Sequence, residues 1–430
     1  MKNRVKDKVW VVSLGCPRNL VDSEGILGGL AKKGYALASG IDKADIGIVN
    51  TCAFIEDARV ESIDAILELI QLKKEGHLKK LLVYGCLPQR YKEQLKNELP
   101  EVDAFIGRVS LNHSPNILRM TPLYYAYVKI CEGCLNRCSY CVIPKIKGRF
   151  TSLDMDSLLD RVSSLDRAKV AEVNIVGQDI TGYGMDLYGA KKLPQLLDKM
   201  LKSTNNIVWF RLLYLYPNRI SDELLELIGS QSRVCKYIDL PIQHINDRIL
   251  KLMRRNTAKK EIVRLIAKIR KKIPQVAIRT SLIVGFPSET DKEFRELVDF
   301  IEEVKFDRLG VFIYSREEGT AAYDFEKQIP QKIKSQRLDT IMSKQQLISQ
   351  EINNRLLGRT IDVLIEEEEK EAWPVTLENR RAYLGRSQYD APEVDGTVYV
   401  NSSKKLKPGD FAKVKITDTL EYDLVGDAQA

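Results

Sequence analysis

Histidine and tryptophan are scarce in this chain, three of each in 430 residues. So few imidazoles leave little material for the His-based ligand sets of mononuclear zinc sites, and cysteine stands out as the soft metal ligand in supply. No apolar run approaches the roughly 20 residues that span a bilayer. Residues 9–14 and 282–286, among the longest, are far shorter, so no transmembrane segment and no membrane partner are expected. There is no internal repeat, and the one biased tract, Glu366 to Glu369, reads as a solvated strand end.

At the N-terminus Lys2, Arg4, Lys6 and Lys8 precede an apolar stretch and Cys16, in the outline of a lipoprotein export signal. The stretch is short for that role and Pro17-Arg18 follow the cysteine directly, so a strand is the expectation. Without export, eight cysteines belong to a reducing compartment, the cytoplasm, and point to metal or redox chemistry over disulfides.

With 44% hydrophobic residues, a chain of this length is expected to build two or three separate cores. Its net charge of +8 is unevenly spread. From residue 360 onward 15 Asp and Glu face nine Lys and Arg, a balance of −6, which leaves +14 on the first 359 residues. A basic body fits an anionic partner such as RNA, and an acidic tail fits a basic one; both also fit ordinary solvated surface.

Residues 9–14, 46–50, 81–84 and 104–106 read as strands separated by helical periodicity, the pattern of a parallel α/β sheet. Within residues 60–72, Ile63, Ile66, Leu67 and Ile70 are expected to share the buried face, and Pro88 is expected in the first turn of the third helix. A second α/β stretch offers strands at 126–130, 173–176, 208–213, 237–240, 277–284 and 309–313. Six βα units in about 190 residues predict a partial (β/α)6 barrel, because a complete eightfold one takes about 250. Residues 332–357 read as a polar linking helix. From Arg359 short strands and turn signals at Asp395-Gly396 and Pro408-Gly409 predict a small all-β domain.

Two sets of cysteines carry the chemistry. Cys134, Cys138 and Cys141 fall in CxxxCxxC spacing just after the first strand of the second stretch. Three closely spaced thiolates hold three corners of a 4Fe-4S cube and leave the fourth iron open to the amino and carboxylate groups of S-adenosylmethionine. A zinc site using Cys131 and Cys134 is the competing reading, but it lacks a second pair. Cys16, Cys52 and Cys86 lie 36 and 34 residues apart, each within a residue or two of a predicted strand's end, so a parallel sheet brings all three to one edge. A second cluster is expected there; for any single one of them, burial in the core is the alternative. Cys235 has no companion and is expected in the core.

These residues resemble the methylthiotransferases, a radical S-adenosylmethionine family with an N-terminal domain carrying three cluster cysteines, a central radical domain and a C-terminal TRAM domain. The resemblance covers essentially the whole chain and implies domains at 1–120, 121–330 and 359–430, with a linking helix at 331–358. The run from Ser13 to Glu24 is similar to the signature of the RimO branch, which modifies an aspartate of the small-subunit ribosomal protein numbered twelve. The branch that modifies tRNA, the MiaB type, shows Gln-Met-Asn after that cysteine. The segments from Asn50 to Ile55, Gly85 to Arg90 and Arg386 to Gly396 also resemble the RimO branch.

The resemblance implies that a cluster on Cys134, Cys138 and Cys141 cleaves S-adenosylmethionine to a radical that removes hydrogen from an unactivated carbon. It further implies that a second 4Fe-4S cluster, on Cys16, Cys52 and Cys86, holds or supplies sulfur, and that a second S-adenosylmethionine supplies the methyl group. Implied partners are a basic ribosomal protein, free or on the ribosome, an electron donor such as flavodoxin, and a sulfur donor. Cofactor contacts are implied at Gln178 in Gly177-Gln178-Asp179, at Gly285 in Gly285-Phe286-Pro287, and at Arg211 and Gln243, with His244 beside them. Lys147-Gly148 and Ser152-Leu153 stand where relatives often show Arg-Gly and Ser-Arg, and Cys131 stands where serine is common; none of these is a cluster ligand. A tRNA adenosine methylthiotransferase and a non-enzymatic iron-sulfur scaffold are the alternatives to a protein methylthiotransferase.

Overall fold

The computed structural model describes residues 7–107, 117–369 and 381–429; the basic Lys2, Arg4 and Lys6 of the N-terminal segment lie outside them. The first sheet contains β1 (Lys8–Ser13), β2 (Ala36–Leu37), β3 (Ile46–Thr51), β4 (Lys80–Gly85) and β5 (Ala104–Ile106), all parallel, in the order β2-β1-β3-β4-β5. Every residue of β3 is buried, as expected for an inner strand covered on both faces. The helices α1 (Pro17–Lys32), α2 (Glu56–Lys74) and α3 (Cys86–Glu98) follow β1, β3 and β4. The chain reverses direction across the sheet between β1 and β3, and at such a switch point the carboxyl ends of neighbouring strands open a crevice. Pro88 lies in the first turn of α3. On α2 one residue departs from expectation. Leu67 is 47% exposed and Leu69 takes its place in the core, because the buried stripe runs through Ser62, Ile66, Leu69 and Ile70 and Leu67 sits about 100° around the helix from Ile66.

The central domain starts with β6 (Tyr125–Lys129) and the short pair β7 (Cys131–Glu132) and β8 (Thr151–Ser152), with α4 (Ile143–Lys147) between β7 and β8. It continues with α5 (Met155–Arg167), β9 (Glu172–Val176), α6 (Leu193–Lys202), β10 (Trp209–Leu212), α7 (Asp222–Ser230), β11 (Tyr237–Asp239), α8 (Asp247–Leu252), α9 (Lys259–Lys272), β12 (Ala277–Val284), α10 (Asp291–Val304) and β13 (Arg308–Ile313). The parallel sheets β6-β9-β10 and β11-β12-β13 are joined by a bridge between Phe210 and Val234, which makes six strands of an open barrel. Its largely aliphatic core includes Val128, Ile175, Phe210, Ile238, Ile278 and Leu282, all fully buried.

The helix α11 (Gln331–Asn354) leads to a closed five-stranded barrel of β14 (Thr360–Glu369), β15 (Arg381–Ser387), β16 (Val398–Ser402), β17 (Phe411–Thr419) and β18 (Leu424–Ala428). This barrel is fastened to the central strands by buried charge. Glu172 accepts bonds from Arg211 (2.8 Å) and Arg386 (2.6 Å), and Asp390 accepts from Arg308 (2.6 Å). Asp395 accepts from Tyr237 (2.6 Å) and Arg279 (3.3 Å). Glu366, the first residue of the acidic tetrad, belongs to the same network through Arg386 (2.8 Å) and is no mere solvated end. Among the described residues no helix is long and apolar enough to cross a membrane.

Candidate functional site

Cys16, Cys52 and Cys86 stand at the carboxyl ends of β1, β3 and β4, the edge where the strand order switches. Two glycines let their loops close on one another. Gly15 has φ +90°, and a Cβ there would lie 2.7 Å from Cys52 Cβ and 3.1 Å from its Sγ; Gly85 has φ +105° and leaves no room for a Cβ beside Asn50 and the Thr51 carbonyl. Asn19 ties the three loops: its Nδ2 donates to the carbonyls of Leu14 (3.1 Å) and Thr51 (3.2 Å), and its Oδ1 lies 3.9 Å from Cys86 Sγ. Ser62 Oγ clamps Cys52, accepting from its N–H and donating to its carbonyl.

The thiols sense one another. Burial, then repulsion from Cys16, raises Cys52, and burial pushes Cys86 up to about 12. Cys16 moves the other way: burial opposes ionisation, but the Arg18 guanidinium, 3.3 Å from its sulfur, outweighs burial and lowers the thiol. Three thiols at a parallel-sheet edge, Cys52 and Cys86 buried and Cys16 half-buried, suit iron, whose bonds replace the water that the thiolates give up. Among the described residues no three His, Cys, Asp or Glu side chains converge tightly enough for a single ion. A cube of iron and sulfide holds its thiolates farther apart than one ion does.

The second trio lies on the loop between β7 and α4. Burial raises Cys134 and pushes Cys141 up to about 12, with the neighbouring cysteines adding to the shift. Asn136 donates to Cys134 Sγ from both its backbone N–H (3.4 Å) and its Nδ2 (3.3 Å), and is held by Asp179 and Arg219. Arg255 Nη1 approaches Cys138 Sγ at 3.9 Å, with its guanidinium 4.3 Å over Tyr216. Cys131 is fully buried against Gly177, and Cys235 is buried beside Arg211.

A seam of charge joins the first domain to the central one. Lys129, fully buried within β6, bonds Asp22 of α1 and Glu132 (2.6 Å); Lys147 bonds Glu132 (3.0 Å) and Asp22 (3.5 Å). Against the burial that opposes it, these two lysines hold Glu132 at about 2. Arg18 crosses the seam from α1 to the carbonyl of Gly177 (3.1 Å). Farther along, Glu317, 2% exposed, binds Arg59 and Arg90 (2.9 Å), and Arg90 also holds the carbonyl of Ala53, next to Cys52.

The residues expected to touch S-adenosylmethionine divide. Gln178 follows β9 at the seam; its Nε2 donates to Glu132 (3.3 Å) and its Oε1 is buried without a partner. Gln243 has φ +72° and pairs with β12 through Ser281 and Ile283. Gly285 has φ +70° at the end of β12, and its N–H is bonded to Glu289, whose other oxygen lies 3.4 Å from the fully buried His244. Arg211 is elsewhere. Its guanidinium is sealed against Glu172 and the carbonyls of Ser387 and Gln388, so it fastens the C-terminal barrel instead of facing a cofactor. Composition and spacing missed Arg18, Lys129, Glu132 and Glu317. One signal was present: Lys129 is a charge inside an otherwise buried strand.

Three family models match successive parts of the chain. Residues 8–107 match the Uncharacterized protein family UPF0004, 128–301 the Radical SAM superfamily and 357–428 the TRAM domain. Among solved structures, the radical S-adenosylmethionine methyltransferase TsrM from Kitasatospora setae superposes with a TM-score of 0.52, over 86% of this chain and 80% of that one; at 13% identity this likeness is one of fold. Proteins named ribosomal protein uS12 methylthiotransferase RimO align over nearly their full length. That of Clostridioides difficile is 44% identical over 98% of each chain, and that of Desulforamulus reducens is 46% identical over 97% of this chain and 99% of its own. With all three domains matched and such identity end to end, the chain belongs to the RimO family of radical S-adenosylmethionine methylthiotransferases.

Proposed function

We propose that this protein inserts sulfur at the β-carbon of an aspartyl residue of ribosomal protein uS12 and methylates it, working in the cytoplasm. The observation that carries the proposal is the gathering of Cys16, Cys52 and Cys86 at one sheet edge, with Arg18 beside Cys16 bonded across to the central domain, in a chain that aligns end to end with uS12 methylthiotransferases. When bound, S-adenosylmethionine on a cluster at Cys134, Cys138 and Cys141 supplies radical and methyl chemistry, and a second cluster at Cys16, Cys52 and Cys86 supplies the site of sulfur transfer.

The chain's own residues arrange this chemistry. Asn136, Asp179 and Arg219 set the orientation of the Cys134 loop, and Ser139, bonded to the Leu252 carbonyl (2.7 Å), anchors its far side. Gln178 Oε1 offers an acceptor for the cofactor's amino group, and the left-handed backbone at Gln243 and Gly285 lets main chain approach it. The ion pairs of Arg59, Arg90 and Lys147 hold the two domains at a fixed separation, which a transfer between reacting groups requires. The balance of −6 over the C-terminal segment suits a basic protein partner.

Electrons come from an acidic donor such as flavodoxin. A groove of about 780 Å³ beside the Cys138 loop, lined by Arg137, Lys251, Arg254 and Arg255 together with Asp247 and Glu261, is its docking place. Sulfur is replenished by a separate donor.

Mass spectrometry of uS12 peptides and of tRNA nucleosides from a deletion strain tests the assignment. The peptide mark should vanish and the nucleoside mark persist; the reverse refutes it. Anaerobically purified protein should carry about eight irons, as two clusters require.

A further inference from the structure

We infer that Arg18 receives the side-chain carboxylate of the aspartyl substrate, an inference that rests on the function just proposed. The reacting β-carbon is one bond from that carboxylate, so placing the carbon between the two cysteine trios brings the charge into the seam. A carboxylate leaving water for such a place needs fixed, charged donors.

Of the cations described along the seam, Arg59 and Arg90 are bound to Glu317, and two more are engaged as well. Lys129 and Lys147 each bind both Asp22 and Glu132, a neutral quartet. Arg18 has no carboxylate within ion-pair distance among the described residues. Its Nε donates to Cys16 Sγ (3.3 Å), its Nη1 to the Gly177 carbonyl (3.1 Å), and its plane lies 4.3 Å over the Tyr214 ring. Nη2 has no partner among the described residues and is not one of the sealed polar atoms. A planar guanidinium fixed at two nitrogens presents the third in a set direction, which is how arginine reads a carboxylate.

The support beneath it is itself specialised. Tyr214 has φ +66°, a conformation uncommon for a bulky side chain, held by a 2.9 Å bond from its N–H to Asp239. Arg255, the corresponding arginine beside Cys138, has the Pro241 carbonyl and Tyr216 as its other partners, all in the central domain, and lines the outer groove. Arg18 alone of the two joins both domains, next to a cysteine of one and the Gly177-Gln178 turn of the other.

The test compares binding, by fluorescence anisotropy, of two synthetic uS12 peptides to the reconstituted full chain, one with the target aspartate and one with asparagine in its place. The wild-type protein should prefer the aspartyl peptide by roughly 10- to 100-fold, the range of a charge-assisted hydrogen-bond pair. Arg18→Met should abolish that preference while binding the asparaginyl peptide as the wild type does, and Arg18→Lys should fall between. Tyr214→Leu, which keeps the cation and removes its platform, checks the same point if Arg18→Met does not fold; it should shrink the preference and spare asparaginyl binding. Equal weakening for both peptides would make Arg18 a fastener of Cys16 and Gly177 and overturn the inference while leaving the aspartyl substrate standing. Failure of the wild-type protein to bind or modify the aspartyl peptide would remove the proposed function, and the inference with it.

Discussion

Replacing Glu172 with alanine should loosen the C-terminal barrel from the central domain. Glu172 is fully buried and is the common acceptor of Arg211, also fully buried, and Arg386, 3% exposed. Removing the carboxylate leaves two desolvated guanidinium groups facing each other, and breaking a buried pair by deleting one partner costs about 3–5 kcal/mol. At about 2.1 cal/mol/K of unfolding entropy per residue, 430 residues give about 0.9 kcal/mol/K, so a single cooperative transition would fall by about 3–6 °C. Differential scanning calorimetry of the full chain reads that shift. If the barrel undocks separately, a new low-temperature transition appears instead.

The sign of the pH dependence is also fixed. Burial opposes ionisation of Glu172, but Arg386 and Arg211 outweigh it and lower its pKa. The stabilisation is therefore present above the ordinary carboxylate range and lost as pH falls through the lowered folded value. Glu172→Ala should flatten that part of the acid limb. The double variant Glu172→Ala/Arg386→Ala should lose less stability than the two single losses combined, because it relieves one stranded charge. A shift under about 1 °C with no separate transition would refute the idea that this carboxylate fastens the barrel.

Changing Cys52 to alanine should leave cleavage of S-adenosylmethionine to 5′-deoxyadenosine measurable by chromatography and abolish sulfur insertion; loss of cleavage in a folded protein would contradict the division of labour between the trios. Glu317→Ala strands Arg59 and Arg90 beside the Cys52 loop, so 5′-deoxyadenosine formed per methylthiolated peptide should rise several-fold at unchanged iron content. Charge reversal at Lys251 and Arg254 should raise the KM for an acidic reductant about tenfold at low ionic strength, with the difference fading in high salt. Against partial burial, Arg248 and the Thr290 cap hold Glu293 at about 2, so its stabilisation is full above the unfolded value of about 4.5 and lost toward pH 2; Glu293→Gln should remove that portion of the acid unfolding curve.

Local pattern made much of the architecture readable. The strand at residues 277–284 stands where the sequence pattern puts it, because that signal is local. Leu67 was misjudged because residues at the margin of a helical stripe are assigned by what packs beside them. Arg211 misled for a related reason: a buried arginine in a barrel strand fits a cofactor or a second domain equally well, and only the docked position of Ser387 and Gln388 decides.

The sequence by itself determined where the cysteines stand along the chain. The CxxxCxxC spacing and the intervals of 36 and 34 residues, one βα unit each, between Cys16, Cys52 and Cys86 are properties of the chain's order, and a parallel sheet converts such intervals into a shared edge. Only the tertiary structure decided which charges meet: Lys129 with Asp22 across 107 residues, Arg18 with Gly177 across 159, Glu317 with Arg90 across 227. Such pairings depend on how separately folded domains dock, and no local period in the sequence records that.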